Sequence, residues 1–146
     1  MPNAAAIKPV LVQIAELRAG IDELKSDVKA VDLKSGILRT FEAGEAAALK
    51  GKLERAAACL EAARDAKDAD EGGYQADRAA RIINDVAVSL ALEAAEFRAE
   101  MIRFRSRRRY EAELAQYERE AERAHGKFVA VASLLASVVA AIPKLG

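Results

Sequence analysis

Six arginines crowd one short stretch of this chain: Arg98, Arg103, Arg105, Arg107, Arg108 and Arg109. Guanidinium groups at such density can neutralise a run of phosphates, in nucleic acid or in lipid headgroups. At helical spacing Arg98, Arg105 and Arg109 share a stripe, while Arg103 and Arg107 point away from it. An internal use competes with this. Arg107 and Glu111, and Arg109 and Glu113, stand four apart, as helix ion pairs do, and the next segment, EAELAQYEREAE, is as acidic as the cluster is basic. A helix with that division of charge suits charge-matched assembly between subunits. The sequence favours assembly, because no helix-turn-helix, zinc finger or aromatic stacking platform accompanies the arginines.

The other residues that carry chemistry are few. His125 is the only histidine, and HGK reads either as a helix end, a cation followed by glycine, or as a helix passing through Gly126 in register. No serine or cysteine nucleophile can be placed beside it from sequence. Cys59 stands alone between Leu53 and Leu60 on an alanine-rich stretch, as a small buried side chain would. A single cysteine gives no internal disulfide and fits a reducing compartment. Carboxylates are plentiful, but none stands in the Glu-x-x-His arrangement of di-iron bundles, and DEGG at 70–73 has too few ligands for a calcium loop. There is no glycine-rich phosphate loop and no zinc motif. The sequence therefore assigns no catalytic residue, cofactor or metal, and the chain reads as a non-enzyme without a small-molecule substrate.

What remains is architecture. The chain has 146 residues, with 23 basic against 23 acidic side chains, so no net field draws the whole molecule to polyanions. Abundant Ala, Leu, Glu, Arg and Lys disfavour sheets and predict long helices in a single all-α domain. The N-terminus lacks the basic start of a signal peptide, which makes the cytoplasm the expected compartment.

Apolar residues recur in alternating steps of four and three at Val10, Ile14, Leu17, Ile21, Leu24, Val28 and Val31. That is a heptad seam. Pro9 suits its first turn, and Ser35–Gly36 interrupts it. Helices are expected over about 9–34, 41–70, 74–125 and 127–142, the last two joined if the helix passes through Gly126. The second helix has a thin seam at Ala46, Leu49, Leu53, Ala56, Leu60 and Ala63, and the third runs through Ile83, Leu90, Phe97 and Met101. The register slips by one residue within RFRSRRRY. A new register then runs from Tyr110 through Leu114, Tyr117, Ala121, Ala124, Phe128, Val131, Leu135 and Val138 to Ile142.

FVAVASLLASVVAAI, residues 128–142, is the one long uncharged run. Fifteen residues rise about 22 Å, short of a ~30 Å hydrocarbon core. Its larger side chains also fall on one face and its alanines and serines mostly on the other, a sorting that lipid does not require. A buried helix or oligomer interface is therefore expected before a membrane-active tail. If the chain folds back at Gly72–Gly73, residue i lies opposite about 145 minus i, and two architectures follow: a long antiparallel hairpin of coiled-coil-like helices with a joint in each arm, or a compact four-helix bundle. The hairpin is the first expectation; fully extended, it leaves apolar surface that calls for a homo-oligomer or a helical partner.

Function is read accordingly. The leading expectation is a structural subunit, scaffold or adaptor using a seam of Ile14, Leu17, Ile21, Leu24, Val28, Val31, Leu114, Tyr117, Phe128, Val131, Leu135, Val138 and Ile142. Behind it stand a membrane-active protein inserting 128–142 and a nucleic-acid-associated protein using Arg98–Arg109.

Overall fold

The computed structural model describes residues 4–35, 43–107 and 111–145, with side chains described over 4–29, 44–103 and 118–143. Four helices account for nearly all of it: α1 (Ala4–Ser35), α2 (Ala43–Asp65), α3 (Ala69–Arg107) and α4 (Glu111–Ala141), with a 3-10 turn at Ile142–Leu145. No strand occurs among the described residues. The all-α expectation stands.

The arrangement is the compact one. Asp22 on α1 accepts a hydrogen bond from Lys50 on α2 at 2.9 Å, and Arg18 pairs with Glu54. As one residue number rises the other falls, so α2 runs antiparallel beside α1. In the extended hairpin these two helices would lie end to end in one arm. Arg98 on α3 reaches Glu122 on α4 at 2.9 Å, and Lys127 on α4 returns to α1 at Asp27 (2.6 Å) and Glu23 (3.5 Å). With α2 packed on α3, the four helices close into an antiparallel ring around one core.

The core follows the four-three seams. Ile14, Ile21, Leu24, Leu53, Leu60, Ile83, Leu90, Phe97, Phe128 and Leu135 are all at or below 1% exposure. Ile7 is equally buried and extends the first seam by one step. That burial explains why α1 begins at Ala4 rather than 9, leaving Pro9 in the second turn, where it removes one amide from the hydrogen-bond ladder.

Two expected boundaries move. The chain reverses at 66–68, not at Gly72–Gly73. Asp68 caps α3: its carboxylate accepts the Glu71 amide at 2.7 Å, and the Gly72 amide closes the first helical bond to the Asp68 carbonyl at 3.1 Å. Asp68-x-x-Glu71 is a capping-box spacing, and such a cap is worth about 1 kcal/mol. This cap placed both glycines inside α3, and the expected helix end at 70 retreats to Asp65. The pairing of α1 with α4 shifts the other way: Gly20 lies against Val131, a sum of about 151, where a single fold-back at 66–68 would give about 134.

The expected helix 74–125 is divided instead: α3 ends at Arg107 and α4 begins at Glu111, at the site of the register slip. α4 then passes through His125 and Gly126 without a break, so HGK is helix interior and not a cap. The 3-10 turn places Pro143 where no further α-helical ladder is needed.

Candidate functional site

The seam residues expected to meet a partner are spent inside the chain itself. Ile14, Leu17, Ile21, Leu24, Val28, Phe128, Val131, Leu135, Val138 and Ile142 are all buried in the single-chain core. A partner reached through them would have to displace the chain's own helices. The side chains of Val31, Leu114 and Tyr117 lie outside the described residues.

Of the arginine cluster, Arg98 is held by Glu122 across the α3–α4 contact, and Arg103 pairs with Glu100 one turn back. Both are solvated ion pairs, each contributing at most about 1 kcal/mol. The side chains of Arg105, Arg107, Arg108 and Arg109 lie outside the described residues. His125 is half-buried in mid-helix. Cys59 is buried and unpaired, as expected. Among the described residues no group of three or more metal-ligating side chains occurs.

A second stripe runs along α3 opposite its core face. Val88 (50% exposed), Leu92 (62%) and Ile102 (58%) stand in water, with Ala95 exposed and Ala99 half-exposed between them. The spacing 88, 92, 95, 99, 102 repeats the four-three alternation of a heptad seam. It extends about 21 Å along the helix. Following only one seam per helix leaves these residues unassigned in sequence; the signal is there in a second phase of the same periodicity.

The outer face of α4 is uncharged from Val129 to Ala140, and Val129 and Leu134 are 45% and 46% exposed. Residues Glu118–Ala141 form a 24-residue segment long and apolar enough to cross a membrane by length and composition; its most apolar 18 residues have mean hydropathy 1.6, and 33% of them are buried in the bundle. Its two large exposed side chains lie on opposite flanks and form no continuous stripe.

Between α2 and α3, Glu45, Ala48, Leu49, Ser89 and Glu93 line a recess of about 210 Å³. Glu93 is half-buried, and its Oε2 is shielded from water with no hydrogen-bond partner. Burial, reinforced by the charges of Glu45 and Glu96, pushes its carboxyl up to about 7, and a hydrogen bond with Glu45 favours the protonated form. The folded chain thus binds this proton more tightly than the unfolded chain, so the group's contribution is complete below pH ~4.5 and disappears as pH rises through ~7. Glu93→Gln, which keeps a neutral side chain at every pH, is expected to be more stable than the parent at pH 8. The gain is about 1 kcal/mol after solvent screening, or about 2–4 °C. The two melting curves should converge near pH 4.5; a constant difference across that range would contradict the assignment.

The arrangement supplies surfaces for packing. No known protein family, curated protein or solved structure matches the chain.

Proposed function

We propose that this chain is a non-enzymatic assembly protein, a structural subunit or scaffold that pairs with a second copy of itself through the outer stripe of α3. The observation that carries the reading is the stripe itself: heptad-spaced, exposed and separate from the satisfied core. Its side chains complement one another about Ala95. An antiparallel copy sets Val88 opposite Ile102 and Leu92 opposite Ala99, with Ala95 on the two-fold axis. Val88 and Ile102 therefore meet at the ends, and towards the middle each Leu92 packs over the small Ala99 of the other copy. Such a contact is isologous and closes at two copies. An unpaired Cys59 suits the reducing cytoplasm as the compartment.

The same register brings Glu96 close to its own copy beside the axis, where like charges oppose pairing by a few tenths of a kcal/mol. Sedimentation equilibrium from about 5 to 200 µM should show the mass rising towards two chains, in the range expected of a modest interface. Glu96→Gln should move the curve to lower concentration by about twofold. A single-chain mass throughout removes the proposal; dimers indifferent to Glu96 move the interface elsewhere.

A second reading rests on the uncharged outer face of α4. In it, 128–142 would leave the bundle to enter a bilayer, and liposome flotation with and without residues 127–146 decides it: a full-length chain that stays at the bottom ends the idea. Nucleic-acid association through Arg98–Arg109 is the third, and a mobility shift at low salt that is lost in the Arg107, Arg108 and Arg109 to Ala variant would support it.

A further inference from the structure

We infer that the groove between α2 and α3 holds a binding site for a phosphate group, free or as a monoester, gripped by Arg55 and Arg78. The two guanidinium-bearing residues come from facing helices and line a recess of about 260 Å³ together with Ala58, Cys59 and Gln75. Two other described arginines reach a carboxylate across a helix–helix contact: Arg18 finds Glu54 and Arg98 finds Glu122. Arg55 and Arg78 have no hydrogen-bond or ion-pair partner among the described residues.

The sequence denies them one. Three and four residues either side of Arg55 stand Gly51, Lys52, Ala58 and Cys59; around Arg78 stand Tyr74, Gln75, Arg81 and Ile82. None is acidic. The nearest carboxylates on this side of α3 are Glu71 and Asp85, each seven residues from Arg78 and so about 10 Å along the helix; Glu71 already accepts from Gln75 at 3.0 Å. Two like charges thus flank one recess, an arrangement that costs free energy until an anion enters. Ala58 leaves space between them where a longer side chain would fill it.

The planar donor forks of two arginines suit the several oxygens of a phosphate dianion, which can accept from both at once. A carboxylate offers one bidentate edge and satisfies a single fork. The floor beneath is apolar, supplied by Ala58 and the small exposed part of Cys59, 7% accessible.

That cysteine, the only one in the chain, makes the site testable on the intact protein. Alkylation of Cys59 by uncharged iodoacetamide is followed while inorganic phosphate, glycerol phosphate or acetate replaces chloride at constant ionic strength. Phosphate should slow labelling along a saturation curve, by about tenfold at ten times its dissociation constant. Greater potency of the monoester assigns the site to an esterified phosphate, and the reverse to the free ion.

The double substitution Arg55→Ala with Arg78→Ala should abolish the protection; both residues are exposed, so the fold does not depend on them. The lysine pair, which keeps charge but loses the forks, should retain a weakened effect. Broadening of the phosphorus resonance by the parent, and not by the alanine variant, gives a readout independent of the thiol. Labelling indifferent to phosphate overturns the inference, as does equal protection by acetate. So does equal protection of the alanine variant, the signature of a general salt effect.

Discussion

Phe128→Ala is expected to destabilise the bundle by about 3–5 kcal/mol, the cost of removing a fully buried aromatic ring. For a domain of this size that lowers the melting temperature by about 6–20 °C. The Phe128 ring has no exposed surface and lies 5.6 Å, centroid to centroid, from that of Phe97, tilted by 46°. Tilted ring pairs contribute about 0.5–1.5 kcal/mol beyond the area they bury. The neighbours explain why the loss should be near the top of the range. One and two turns towards the start of α4 the core side chains are Ala124 and Ala121, too short to move into the space left behind. Urea titration gives the free energy, and an unchanged dependence on urea concentration would show that the unfolded chain is not altered. A double-mutant cycle with Phe97→Ala should return a coupling of about 1 kcal/mol, because the second substitution falls into a cavity already opened. A loss below ~1 kcal/mol for Phe128→Ala would mean that the ring is not in the core.

That ring was visible from sequence, and so were most of its companions, because a seam repeating in steps of four and three leaves little choice of face. Ile14, Ile21, Leu53, Ile83, Phe97 and Leu135 were all read as seam positions, and all are buried. Helix ends were harder to read. Gly72–Gly73 suggested the turn because glycine tolerates conformations that other residues avoid, yet tolerance is not demand. The Asp68 cap satisfies α3's amides four residues earlier and leaves the glycines nothing to do at the turn. Between hairpin and bundle, periodicity is silent, since a heptad seam fits one neighbour or two; the outcome shows in contacts such as Lys50–Asp22, which join residues 28 apart in sequence. The outer stripe of α3 was overlooked for a different reason. Its alanines at 95 and 99 dilute the apolar signal, so the second phase that aligns Val88, Leu92 and Ile102 is faint beside the first.

Leu92→Glu separates the two seams of α3 by their consequences. Leu92 is 62% exposed in the single chain, so the folding free energy should change by less than ~0.5 kcal/mol, as for most surface substitutions. Self-association should respond strongly. In a two-fold dimer every substitution is made twice, and each leucine loses about 1.5–3 kcal/mol of burial. Two copies make about 3–6 kcal/mol, which weakens the dissociation constant by at least about a hundredfold, and each new carboxylate would face the apolar Ala99 of the other copy. Ile21→Glu is the counterpart: fully buried, it should unfold the bundle outright, because a charge without a partner cannot be accommodated there. Sedimentation equilibrium and circular dichroism on the parent and both variants read the two effects apart. A Leu92→Glu protein that is folded and monomeric, beside a parent that dimerises, places the interface on the outer stripe of α3. If that variant dimerises as the parent does, the stripe is only solvated surface. If it unfolds, Leu92 belongs to the core and the helix is turned the other way.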